Sequence, residues 1–149
     1  MFIIKIEKLF LFIIAVLFIG CANPPRMNRG YDYSVKKYEA LEICKDILEE
    51  LEYEIDIYAP ESYILTTKPI QLRKVIRKYD YIIYLNVSDR INIHISAERN
   101  IFNRGSESSL GGSGIIIKQT ETYLPLSIQK KIFDPINNKL KNHNFRQIK

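Results

Sequence analysis

Histidine and cysteine are scarce in this chain, with two of each in 149 residues. Neither His94 nor His143 has a partner at metal-ligand spacing, and HExxH and CxxC are absent. The sequence therefore offers no zinc-type site, and no cofactor is expected. The six glycines gather mostly in the Ser/Gly-rich stretch 103–114, which matches neither GxGxxG nor a P-loop. A glycine-rich turn can cradle a phosphate through its backbone N–H groups, but the simpler expectation here is a mobile surface loop. Long apolar runs are lacking as well. The longest, Leu9 to Ile19, falls short of the roughly 20 residues that a spanning helix needs. No internal repeat and no second linker argue for more than one domain.

That apolar run has a particular setting. Lys5 and Lys8 precede it, Gly20 and Cys21 follow it, and Ala22-Asn23-Pro24-Pro25 prevents a helix from continuing. A basic start, an apolar centre and a small residue before cysteine resemble a bacterial lipoprotein signal peptide ending in a lipobox. Phe18 stands where that family usually carries leucine, and Leu17 lies one residue further back. The resemblance covers the first two dozen residues. It implies cleavage after Gly20, lipidation of Cys21, and attachment to a membrane by acyl chains, two or more of which anchor stably. Ala22 is not the aspartate associated with inner-membrane retention, so the resemblance favours the periplasmic side of the outer membrane in a diderm host. The alternative is an uncleaved anchor, because Phe2-Ile3-Ile4 and Ile6 extend the apolar stretch through the lysines.

Processing of this kind leaves 129 residues as one domain, residues 34–149, behind a tether at 21–33. The formal charge of the whole chain is +5, and the removed segment takes one net positive charge with it. A mildly basic surface speaks to partners rather than to fold. With Cys21 consumed by lipid, Cys44 is the only remaining thiol, and an intrachain disulfide is excluded.

Apolar residues at helical spacing, Ala40, Leu41, Cys44, Ile47, Leu48 and Leu51, predict a helix over 35–52 with Asp32 or Ser34 as its cap. Cys44 lies mid-stripe and reads as a small buried hydrophobe, not a nucleophile. Lysines open this helix and Glu49, Glu50 and Glu52 close it, against the helix dipole, so packing must hold it. Strands are expected over 53–58 and 63–68. A β-hairpin is expected where Tyr79 to Val87 and Ile91 to Ala97 alternate around Asp89-Arg90. Residues 115–123 fit an edge strand or the start of a helix. Ile128, Ile132, Ile136 and Leu140 predict a last amphipathic helix, interrupted or kinked at Pro135. The fold class is α+β, an antiparallel sheet of four or five strands with both helices on one face. This element order, spanning 34–142 behind a lipobox, loosely resembles the helix-grip domains of accessory lipoproteins in outer-membrane barrel assembly. It also resembles the lipoprotein partner in lipopolysaccharide export.

Candidate sites are few. Arg104, Glu107 and Leu110 in the Ser/Gly-rich loop are candidates for docking a partner, with the sheet face around Tyr84 and His94 as the other possibility. Arg73, Lys74, Arg77 and Lys78 form the densest basic cluster, joined by Lys130, Lys131, Lys139 and Lys141 on the last helix. The cluster is a solvated face, pairs with the acidic stretch Glu49 to Asp56, or meets anionic headgroups or an acidic envelope polymer. No spacing singles out an acid–base pair among Asp89, Glu98 and Glu107. The expected protein is a non-enzymatic, membrane-anchored envelope lipoprotein that assists assembly by binding another envelope protein, not nucleic acid. A lipid or glycan binder using a groove between sheet and helices is the alternative. A hydrolase is the least supported reading.

Overall fold

Alternating apolar residues between 77 and 103 build the centre of the molecule. The computed structural model describes residues 27–74, 77–103 and 115–148. Its elements run Asn28–Asp32 (β1), Lys37–Glu50 (α1), Ile55–Ala59 (β2), Ile64–Thr67 (β3), Ile70–Lys74 (β4), Arg77–Val87 (β5), Ile91–Asn103 (β6), Ile115–Glu121 (β7), Leu126–Asn142 (α2) and Arg146–Ile148 (β8). The sheet order is β2-β3-β5-β6-β1-β8, with β4 also beside β5 and β7 also beside β6. Every ladder is antiparallel.

The class is α+β as expected, but the sheet has eight strands, not four or five. Of the three additional strands, β1 and β8 are short and mostly polar, whereas β4 alternates Ile70 and Leu72, which pack against the core, with Gln71 and Arg73. In β1, Asn-Arg-Gly-Tyr-Asp, only Tyr31 is fully buried. This strand occupies the second half of the segment expected as tether, and Met27 just ahead of it is already in the core. β8 likewise owes its place to backbone pairing with β1, and β4 pairs with β5. The ambiguous segment at 115–121 is a strand.

Two helices cover one face. Odd-numbered residues of β5 and β6 between Tyr79 and Ala97 point beneath them, and Ile83, Ile93 and Ile95 are fully buried. The side chains of this core all fall between Met27 and Phe145 among the described residues, so that stretch carries its own core. Cys44 is buried as expected, and burial pushes its thiol up to about 12. The expected cap is not made: Lys36 holds the N-cap position without a side-chain bond, because Asp32 is committed to β1. α2 runs uninterrupted through Pro135.

Both helices end alike. Glu52 and Asn144 take left-handed backbone at φ 65° and 63°. The next N–H, of Tyr53 or Phe145, reaches back to Leu48 O or Leu140 O at 2.9 and 3.1 Å. These are Schellman closures, and each turns an aromatic ring back onto the core.

β5 and β6 each change partner halfway. β5 pairs with β3 over Tyr84–Asn86 and with β4 over Arg77–Tyr81. β6 pairs with β1 over Ile91–His94 and with β7 over Ala97–Asn103. The step from β3 to β4 spans Lys68-Pro69, and there Ile83 N–H donates to the Thr67 hydroxyl at 3.1 Å. The long hairpin thus has a near half between β3 and β1 and a far half between β4 and β7, with its buried side chains reaching into the far half only as far as Tyr79 and Ala97.

Candidate functional site

The open face of the sheet collects the even-numbered residues of β5 and β6. One cross-strand row runs Ile57, Thr66, Tyr84, His94 and Asn28, each opposite the next. Ile57 is 51% exposed and Tyr84 43%, while the Tyr84 and His94 rings lie 6.4 Å apart at a tilt. Ile64, 38% exposed, stands two residues along β3 from Thr66, on the same face. This places the Tyr84 and His94 of the sequence analysis on an exposed, partly apolar surface. Arg104, Glu107 and Leu110, the other candidates for docking, lie outside the described residues, as does Cys21.

Towards the far end the same face becomes charged. The next rows there are Gln71, Asp80, Glu98 and Thr120, then Arg73, Lys78, Asn100 and Lys118. Asp80 and Glu98 are direct neighbours, and Lys118 Nζ lies 3.7 Å from one carboxylate and 3.6 Å from the other. Asp80 also accepts from Asn100 at 2.8 Å and from Gln71 at 3.4 Å. Sequence spacing singled out no carboxylate pair, because Asp80 and Glu98 meet only through hairpin register. Asp80 is thus held by two amides and a lysine, and Glu98 by the same lysine.

The basic cluster sits where β4 meets β5. Arg73 is opposite Lys78, and Lys74 is opposite Arg77, so like charges face each other across the ladder. The acidic stretch does not neutralise them. Glu50 pairs with Lys139 of α2, Glu54 with Lys68 at 2.8 Å, and Glu49 with Lys45 at 3.8 Å. Lys68 holds the Glu54 carboxyl below its ordinary range. The expected pairing with this patch is thus met on the last helix, through Lys139, while Lys68 and Lys45 take Glu54 and Glu49 in place of the β4–β5 cations. Among the described residues, Arg73, Arg77 and Lys78 make no ion pair.

On the helix side, Arg99 Nε lies 2.9 Å from Glu121 Oε1, and Arg99 Nη2 donates to Gln119 at 3.0 Å. Arg29 stacks its guanidinium 4.5 Å over the Phe133 ring and bonds the fully buried Gln129, whose amide donates to Leu124 O. The Arg99 contacts tie β6 to β7, and those of Arg29 fix β1 against α2. A cleft of about 330 Å³ opens at the other end of the sheet, lined by Asp32, Tyr33, Ser34, Asn144 and Arg146. Among the described residues no three His, Cys, Asp or Glu side chains come together as a metal site. No helix of the described residues is long and apolar enough to cross a membrane.

Sequence reading missed the exposed isoleucines of β7, Ile116 and Ile117, which are 62% and 47% exposed. The run Ile115-Ile116-Ile117 was the available signal, since three successive apolar residues in a strand must put at least one on each face. A scan of protein-family models finds no match to this chain, nor does a search of curated proteins.

Proposed function

We propose that this chain is a non-enzymatic module of a bacterial cell envelope, anchored by acyl chains on Cys21, whose open sheet face docks another envelope protein. In a diderm host it sits on the periplasmic side of the outer membrane. The observation that carries the docking reading is the exposure of Ile57, Tyr84 and His94 along a cross-strand row whose remaining member between them, Thr66, is buried. The opposite face is buried from Tyr79 to Val87 and from Ile91 to Ala97, yet this row leaves an isoleucine and an aromatic ring in water. The polar clusters support a non-enzymatic role, because their charges are bridged or hydrogen-bonded on an open surface rather than converging in a cleft. For the alternative, a lipid or glycan held between sheet and helices, the 330 Å³ cleft gives no support, since it lies at the β1–β8 end.

Two measurements test the proposal. Metabolic labelling with a palmitate analogue should mark the wild-type chain and spare Cys21→Ser; equal label on both rules out the anchor. Tyr84→Ala with Ile57→Ser should leave the melting temperature nearly unchanged and abolish co-purification of the crosslinked partner. Retained co-purification moves docking to the loop that carries Arg104, Glu107 and Leu110.

A further inference from the structure

Among the described residues, the far end of the sheet brings unpaired cations and exposed isoleucines together. On its β4–β5 side stand Arg73, Arg77 and Lys78, exposed and without ion pairs among the described residues. Direct opposition of cations in a ladder costs stability, and nearby carboxylates that would relieve it are engaged elsewhere. On its β7 side Ile116 and Ile117 are exposed on opposite faces of one strand. A soluble anion accounts for the cations and not for the isoleucines. An anionic bilayer accounts for both, because its phosphates take the charges and its headgroup boundary takes the apolar side chains. At the near end, Asp89 beside Arg90 and Asp32 opposite Arg146 give mixed charge.

Chain length fits the same orientation. The described chain starts at Met27, whose carbonyl accepts from Ile95 N–H at 2.9 Å. From Ile95 the far end of β6 at Ile101 is six residues away, roughly 20 Å along a strand. Six residues also separate Cys21 from Met27, and they reach roughly 20 Å at most. An acylated Cys21 and the far end of the sheet can therefore lie in one plane.

We propose that the far end of the sheet rests on an anionic bilayer surface, with Arg73, Arg77 and Lys78 on lipid phosphates and Ile116 and Ile117 in the headgroup boundary. This deepens the lipid-anchored reading and rests on it for the length argument. The open face with Tyr84 and His94 then stands away from the bilayer, accessible to a partner.

Co-sedimentation of residues 27–149, which carry the whole described core, with phosphatidylglycerol or phosphatidylcholine vesicles tests the contact. Binding to phosphatidylglycerol is expected and binding to phosphatidylcholine is not. Arg73→Gln, Arg77→Gln and Lys78→Gln together should weaken it roughly 100-fold, at a few-fold for each charge. The melting temperature of that variant should equal or exceed wild type, because the opposed charges are gone. Ile116→Ser with Ile117→Ser should weaken binding roughly 10-fold further. Equal binding to both vesicles, or a triple variant that binds like wild type, overturns the proposal. So does binding to soluble dextran sulfate as tight as to vesicles and indifferent to the isoleucine changes, which would make the ligand a polymer. These residues lack Cys21, so failure here leaves the palmitate labelling standing, and failure of labelling leaves this result standing.

Discussion

The two halves of the β5–β6 hairpin share one register and one alternation, yet they are held by different forces. In the near half, Ile83, Leu85, Ile93 and Ile95 are sealed beneath α1 and α2, and strands extend the sheet on both sides to β2 and β8. In the far half, β7 is exposed along residues 116–120, and side chains are joined by the Arg99–Glu121 and Lys118 ion pairs. Burial of apolar surface stabilises the first by kilocalories per side chain, whereas part-exposed ion pairs each contribute well under that. Stability resides in one half and chemical variety in the other. A surface that must meet another body has to be kept out of the core.

Mutation offers the widest contrast. Ile93→Ala in the near half should cost about 3–4 kcal/mol by urea denaturation, as a fully buried isoleucine leaves a cavity. Ile117→Ala in the far half should cost less than about 1 kcal/mol, since nearly half its surface is already in water. Comparable costs would erase the distinction between the halves.

Alkali gives the next largest effect. Burial pushes the Tyr31 hydroxyl from 10.0 up to about 12. A raised folded value means that the contribution is complete below pH 10 and is lost as pH climbs towards 12. Two such units correspond to about 2–3 kcal/mol. Denaturant titrations between pH 9 and roughly 12 should show this fall, and Tyr31→Phe should make it shallower, leaving the part due to Cys44, Tyr58 and Tyr81, which are pushed up as well.

Cys44→Ala removes a smaller near-half group and should cost about 1–2 kcal/mol without changing co-purification of the partner. A folded variant that loses the partner would reopen a role for the thiol. The smallest effect belongs to the far half and has the opposite sign. Lys78→Glu converts its opposition to Arg73 into an attraction, and should raise stability by about 0.5 kcal/mol. A loss there would mean that the cations are already neutralised.

Much of the near half was legible in the sequence. The alternation of Tyr79 to Val87 and Ile91 to Ala97 could belong only to strands, and the stripe through Cys44 only to a helix, because burial enforces those periods. β1, β4 and β8 were not legible. β1 and β8 are polar or short and enter the sheet because neighbouring strands have backbone groups to satisfy, whereas β4 shows only one brief alternation, Ile70 and Leu72, ahead of its basic end. The candidate surfaces divide in the same way. Tyr84 and His94 could be placed on the outward phase of their strands, and Arg73 to Lys78 stood out as a run. That Arg73 would oppose Lys78, or Asp80 oppose Glu98, depends on register between residues 5 and 18 apart. Composition carries no trace of that.

The position of β1 constrains the order in which the molecule can be completed. It is the first described strand and yet an interior one, hydrogen-bonded to β6 on one side and to β8 on the other. Arg29 reaches Gln129, a hundred residues along the chain, and Gly30 lies against Ile148. The β5–β6 hairpin can form early from local contacts, but the slot for β1 closes only after the last strand arrives. Pairings of such long sequence separation are slow to form. The rate-limiting event in folding is then the joining of the two ends of the domain, and a kinetic experiment should find β1 and β8 gaining protection together and last.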